Sequence, residues 1–472
     1  MAVLSLPEYK TIETSCIEYV HPWNNSCTTA TFELLVFAFF QSLKTYTTVY
    51  LFTLIMRRKK LTKKVMKETL LGILQSTIFL TTHSFGFPFL ICGLRKLTGR
   101  FDKYSVSFWP SFLSSVVAIH LERSSRRPIL CLYVTNVATE TLFRMAVWRG
   151  WVKPIKFGET IIFTLSTTLL LYWFRSDVEN KDSMFSALRY VVGRYEEGKS
   201  PERPMMESVD SPPPKRCKFQ TNSSTDDNYS MYIIISNICH AYMVLIDGVR
   251  FQPRSPYCPH PHSCIFYSLQ GLGKMLAVGY GVQLALRLVL SAKKILRKPS
   301  ILFRIFFSDK VLNLGKFLGL FCLLFRSSSC GLRWLRGSDS EFHAIPSGLL
   351  AGLAFQFYPD STAALYVMWK AFQILYVKMV ESGYLPKIPY GTILLYCFST
   401  AVLFHTAILE PQNLRPSYYK FLHSLSGGRI AVMNRECLDP FGLDTSKHHR
   451  DVMTKLKLNF KIVQSFLLSH RK

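Results

Sequence analysis

Long apolar runs, ten of them in series, are the feature that most limits what this chain can become. The first five are roughly Phe32–Met56, Thr69–Cys92, Phe108–Leu121, Pro128–Trp148 and Gly158–Phe174. The second five are roughly Cys264–Leu290, Lys310–Cys330, His343–Tyr358, Ser361–Val380 and Tyr390–Leu409. A spanning helix needs about 20 apolar residues, and most of these runs qualify. The third of each set is short, which predicts a tilted or re-entrant segment, or one tightly paired with its successor. One such run could be a buried helix of a soluble core; ten in series predict an all-α, multi-pass helical membrane protein. Only 18% of residues are charged, against about 25% in soluble chains.

The two sets are related in order. Cys92-Gly93-Leu94-Arg95 recurs as Cys330-Gly331-Leu332-Arg333, Trp109-Pro110-Ser111 as Ile345-Pro346-Ser347, and Leu132-Tyr133-Val134 as Leu365-Tyr366-Val367. Gly150 and Gly158 match Gly383 and Gly391, and His21-Pro22 with Ser26-Cys27 matches His260-Pro261 with Ser263-Cys264. The offset stays between 233 (Leu132 to Leu365) and 239 (His21 to His260). An ordered series of this kind reads as one long duplication into two homologous halves. The expected organisation is an N-terminal Cys/His-containing segment (1–31), a first membrane repeat (32–194), a disordered linker with an interfacial helix (195–257), a second repeat (258–426) and a soluble basic tail (427–472).

The chain carries 57 Lys and Arg against 30 Asp and Glu, a net charge of +27. The basic residues sit in short clusters between apolar runs, so they read as headgroup-facing loops. No groove-reading module is present, and no nucleic-acid partner is expected. The densest cluster holds Arg57, Arg58, Lys59, Lys60, Lys63 and Lys64. Beside a span it suits either a receptor-read peroxisomal membrane address or a headgroup-binding loop.

Three further groups bear on chemistry. Glu140 and Arg144 lie one turn apart inside the fourth segment, where charge usually faces a bundle interior or a water-filled cavity; the plainer reading has Arg144 snorkelling to the interface. Gly348 and Gly352 have the spacing that lets two helices approach closely in lipid. Cys16, His21 and Cys27 in one half, and Cys258, His260, His262 and Cys264 in the other, are residue types that suit zinc. Their spacing is no standard finger, and the two prolines flanking His260 restrict wrapping around one ion, so a stiff polar lead into the first span is the plainer reading. Cys92, Cys131, Cys322 and Cys397 read as buried thiols acting as small apolar residues. No nucleophile elbow, Walker loop, dinucleotide fingerprint or zinc-protease motif occurs. Neither a cofactor nor an enzymatic activity is expected.

The stretch Asn136–Met145 resembles the transmembrane protein 135 family, also called peroxisomal membrane protein 52. Leu121–Arg127, Ser186–Gly193, Leu332–Leu335, Leu414–Leu422 and Ala431–Arg435 agree with it. The resemblance implies residence in mitochondrial and peroxisomal membranes. It implies a part in the balance of mitochondrial fission and fusion, in peroxisome organisation and in lipid metabolism. It also implies distant kinship with the mitochondrial inner-membrane translocase family. The partners that follow are the lipid bilayer, a dynamin-related fission GTPase and the peroxisomal membrane-protein import receptor. A competing expectation, motivated by the duplication and by Glu140, is a transporter or channel for a lipid or small metabolite, with its site at the repeat interface.

Overall fold

A computed structural model of the protein describes residues 10–57, 62–176, 182–198 and 246–458. Apart from one pair of two-residue strands, the described secondary structure is helical. In chain order come β1 (Thr11–Ile12), α1 (Cys16–Tyr19), α2 (Cys27–Arg57), α3 (Lys63–Thr98), β2 (Phe101–Asp102), α4 (Phe108–Leu121), α5 (Arg127–Trp148), α6 (Gly158–Ser176) and α7 (Ser183–Val192). The series resumes with α8 (Cys264–Arg297), α9 (Ser300–Phe306), α10 (Asp309–Arg336), α11 (Ala344–Gly352), α12 (Ser361–Glu381), α13 (Gly391–Leu409), α14 (Pro416–Leu425), α15 (Arg429–Val432) and α16 (Thr445–Lys455).

Among the described residues, five helical stretches are long and apolar enough to cross a bilayer: Lys63–Thr98, Cys264–Ala292, Ser300–Arg336, Ser361–Glu381 and Gly391–Leu409. The chain is an all-α multi-pass membrane protein. Ten segments were expected as candidates, and the difference has physical causes. α4 has 14 residues, about 21 Å of helix against a hydrocarbon core of about 30 Å. α11 has 9 residues and tightens into a 3-10 turn at Leu353–Phe357. α5 carries Glu140, Arg144 and several hydroxyls, which lower its hydropathy.

The helix ends follow local chemistry. Thr62 caps α3, its hydroxyl accepting from the Val65 amide at 3.4 Å, and Asp182 caps α7 through the Met184 amide at 2.8 Å. Gly99 and Gly337 end α3 and α10 in the left-handed conformation with φ of 71° and 59°, where a side chain is disfavoured. Arg95 and Lys96, and Arg333 and Arg336, occupy the two last turns, where cations complement the helix dipole.

The contacts divide the chain into two units, residues 1–154 with 376–472, and residues 155–375. In the first, α2 packs on α3, α3 on α4, and α13 lies against both α4 and α5, with α14 touching α2. Its core runs through Phe79, Phe87, Ile119, Val137, Tyr396, Phe404 and Tyr419. Thr135 and Ser399 join α5 to α13 by a hydroxyl pair at 3.1 Å. β1 pairs antiparallel with β2, Thr11 opposite Asp102. Residues beyond Gly427, expected as a tail, pack into this unit as far as 458, burying Ile430, Met433, Leu438 and Met453.

In the second unit α8 packs on α10, α10 on α11, and α11 along α6, with α7 touching α8 and α10. The core is aromatic: Phe163 of α6 stacks on Phe355 at 4.1 Å, and Phe317 of α10 meets the same ring edge-on. The contact units are not contiguous in sequence: α13 and α14, from the C-terminal part of the chain, close the unit built by α2–α5, and α6 and α7 close the unit built by α8–α12.

Gly348 and Gly352 sit where α11 meets α6. A Cβ on Gly348 would lie 2.9 Å from the Thr168 hydroxyl oxygen, and one on Gly352 would lie 2.5–2.7 Å from atoms of Thr164. A second close approach, unmarked in the sequence reading, brings Gly279 of α8 against Gly315 of α10, where a Cβ would lie 2.7 Å from the Gly315 Cα. Gly352→Leu is expected to destabilise the purified protein by about 1–3 kcal/mol through overpacking. Gly331→Leu, where a Cβ meets nothing within 4 Å, should change stability by less than about 0.5 kcal/mol. Thermal unfolding in detergent checks both; equal shifts would contradict the packing role.

Candidate functional site: two thiol–imidazole clusters and the buried ion pairs

The loop before α8 and the last turns of α10 build a cluster in the second unit. Cys258 and His260 come from the loop, Cys264 is the first residue of α8, and Cys330 lies on α10. Their ligand atoms all lie within 4.8 Å of one another. Cys258 and Cys264 sulfurs are 3.7 Å apart, and His260 Nε2 is 3.4 Å from Cys330 Sγ. His260 is fully buried and stacks on Tyr267 with centroids 4.4 Å apart. Its Nδ1 lies 2.6 Å from the His262 carbonyl oxygen. A carbonyl only accepts, so Nδ1 carries the hydrogen and Nε2 presents its lone pair to the thiols. Ser263 caps α8, accepting from the Phe266 amide at 3.1 Å, which holds the loop to the helix start.

The first unit holds a related cluster, three thiols with a histidine beside one of them. Cys16 opens α1, Cys27 opens α2 and Cys92 lies on α3, with all three sulfurs within 4.8 Å of one another. His21 is buried. Its Nδ1 is 2.8 Å from the Asn24 carbonyl oxygen, and its Nε2 is 3.2 Å from Cys27 Sγ. The tautomer argument is the same as for His260. A capping box formed by Ser15 and Glu18 fixes the short α1. Arg95, one turn beyond Cys92, donates to the carbonyls of Thr14 and Glu13 at 2.9 and 2.7 Å.

The structure thus corrects the expected ligand sets. His262 is not part of its cluster: its ring faces Arg250, with nitrogens 3.4 Å apart, and only its backbone carbonyl serves, by orienting His260. Cys92, expected as an apolar filler, and Cys330, not singled out by the sequence, are drawn in instead. Cys131 and Cys397 are buried outside either cluster, as small apolar residues would be.

Glu140 and Arg144 form the expected i,i+4 pair at 2.6 Å. The stronger partner was missed: the buried Glu140 carboxylate also bonds Arg415, the residue before α14. Arg144 stays 43% exposed, consistent with snorkelling. In the second unit Lys370 of α12 bonds the Asp182 carboxylate at 2.8 Å and Gln373 at 3.1 Å. Two more pairs fasten helix ends. Arg149 bonds the fully buried Glu410, and Arg333, also fully buried, forks onto Glu196 at 2.8 and 3.1 Å. Arg333 reaches Asp339 at 2.9 Å, and Arg175 bonds the same Asp339 carboxylate. Glu196, assigned by composition to the linker, belongs to the folded unit; residues 199–245 of that linker lie outside the described residues. Burial opposes charge on Glu196, but the guanidiniums of Arg333 and Arg175 hold its carboxyl below the usual carboxylate range. Arg326, deep in α10, is spent on the carbonyls of Val192 and Tyr267, each at 2.8 Å, and lies over the Tyr267 ring.

Of the basic cluster, Lys63 and Lys64 open α3 and are exposed. Arg57 ends α2; its side chain, and Arg58, Lys59 and Lys60, lie outside the described residues.

Residues 13–147 match the family model of the N-terminal cysteine-rich region of Transmembrane protein 135. That match supports a place in the transmembrane protein 135 family. The matched stretch contains Cys16, His21, Cys27 and Cys92, the whole cluster of the first unit. No solved structure matches the chain.

Glu196→Gln leaves Arg333 and Arg175 without their shared buried anion, and should cost about 3–5 kcal/mol. Glu197→Gln removes a neighbouring pair with Arg189 whose partners are 23% and 46% exposed, and should cost under about 1 kcal/mol. Since the Glu196 carboxyl is held low, its contribution is complete above the ordinary carboxylate range and is lost as pH falls through the depressed value. Unfolding midpoints of the two variants, compared at neutral and acidic pH, check the order; a Glu197 variant as damaged as the Glu196 variant would contradict it.

Proposed function

We propose that this chain is a non-enzymatic organiser of mitochondrial and peroxisomal membranes that shifts the balance of mitochondrial fission and fusion, with consequences for peroxisome organisation and lipid metabolism. It would act through a dynamin-related fission GTPase and reach peroxisomes through the membrane-protein import receptor. The observation that carries this reading is the family match over residues 13–147, on a chain with five long apolar helices among the described residues.

Two homologous halves are part of the proposal. Besides the sequence matches, backbone features recur in register. Gly99 and Gly337 share a left-handed cap, Gly150 and Gly383 have φ of 73° and 76°, and Phe157 and Tyr390, just before α6 and α13, have φ of 61° and 57°. Positive φ at two aromatic residues in corresponding places is hard to reach by chance. On this reading the halves have exchanged their fifth helices, α6 for α13.

Glu140 weighs against the transporter reading. A substrate or proton pathway needs a polar group left free to face it, and the Glu140 carboxylate is spent on Arg144 and Arg415. Deleting the protein should lengthen mitochondria and overexpression should fragment them, scored by network length in living cells. Networks unchanged in both conditions would refute the organiser. Glutamate-to-glutamine exchange at 140 that abolished flux of a fatty acid or small anion in liposomes, with thermal stability intact, would restore the transporter.

A further inference from the structure

We propose that each thiol–imidazole cluster is a structural zinc centre, Cys16–His21–Cys27–Cys92 in the first unit and Cys258–His260–Cys264–Cys330 in the second. Three observations point to a metal in place of unrelated buried thiols.

The first is the spacing of the ligand atoms. With zinc–sulfur and zinc–nitrogen bonds of about 2.3 and 2.0–2.1 Å, the edges of a tetrahedron are about 3.8 Å between sulfurs and about 3.6 Å between sulfur and nitrogen. The second-unit cluster has 3.7 Å between Cys258 and Cys264 sulfurs and 3.4 Å from His260 Nε2 to Cys330 Sγ. A disulfide would need about 2.05 Å.

The second is the orientation of the two histidines. In both clusters Nδ1 donates to a backbone carbonyl, of Asn24 or of His262, and Nε2 faces one cysteine sulfur, of Cys27 or of Cys330. A metal-bound imidazole is commonly held this way, since the second hydrogen bond fixes the ring and its tautomer.

The third is the repetition. His21, Cys27 and Cys92 recur at the offset of the sequence matches as His260, Cys264 and Cys330, and each set adds one more cysteine ahead of its histidine, Cys16 or Cys258. Small apolar fillers need only volume, and alanine or serine would serve. Three thiolates and one imidazole select zinc over calcium or magnesium, and four protein ligands leave no open position for a reaction. The centres are therefore structural. Each ties the loop before the first helix of its unit, and that helix's first turn, to the last turns of the helix beside it: α2 to α3, and α8 to α10.

The test uses full-length protein purified in detergent without chelator, with metals counted by mass spectrometry. About two zinc ions per chain are expected, one for each four-ligand centre. Cys92→Ser and Cys330→Ser should each lower this to about one and their combination to about none. His260→Cys should keep the full count, because thiolate replaces imidazole, and His262→Ala should keep it because His262 is not a ligand. Metal-loaded protein should unfold at a higher temperature than protein stripped by a zinc chelator. Should a serine variant fail to fold, cobalt(II) exchanged into the wild type reports instead. Thiolate-to-cobalt charge transfer with intense visible bands supports tetrahedral sulfur ligation, and its absence overturns the proposal. Wild type without zinc, iron in place of zinc, a Cys258–Cys264 disulfide in non-reducing peptide mapping, or loss of zinc on His262→Ala would each overturn it as well.

Discussion

Buried ion pairs hold the helices that each unit draws from distant parts of the chain, and the rest of the arrangement depends on those pairs. α14 is fastened to α5 through Arg415 and Glu140, and the turn after α13 through Glu410 and Arg149. α7 is fastened to α12 through Asp182 and Lys370, and the turn after it through Glu196 and Arg333. A charge left unpaired at such depth is costly, so the helix ends are confined to registers that complete each pair.

Much of this was legible in the sequence. Apolar runs gave the helices, and the shortness of Phe108–Leu121 marked α4 as unlike its neighbours. Gly348 and Gly352 announced a close helix contact. What escaped was any group whose partner is far along the chain. Glu140 advertises Arg144 because they are one turn apart, whereas Arg415 is 275 positions away. Glu196 sits in an acidic, polar stretch that composition assigns to a linker, and only the fold brings Arg333 to it.

The cysteines make the same point from another side. Local ligand spacing led to Cys258, His260, His262 and Cys264, a set with one wrong member. The proposed duplication points to the correction, because Cys92 and Cys330 stand at corresponding places in the sequence matches. A metal site assembled from a loop and a distant helix leaves no compact motif. On that proposal it leaves a pattern in what the two halves share, and His262, with no histidine at the corresponding place near His21, fails that comparison.

The distance along the chain between these helices also has a consequence in time. α5 ends at Trp148 and α13 begins at Gly391, so the 242 residues between them (390 − 148) must be made before the first bundle can begin to receive α13. At ribosomal rates of about 5–20 residues per second, the wait is about 12–50 seconds. During that interval α4 and α5 lack the helix they pack against, Thr135 lacks its hydroxyl partner Ser399, and Glu140 lacks Arg415. The nascent chain must be sheltered through this period, and the membrane machinery that inserts it is the natural place for that shelter.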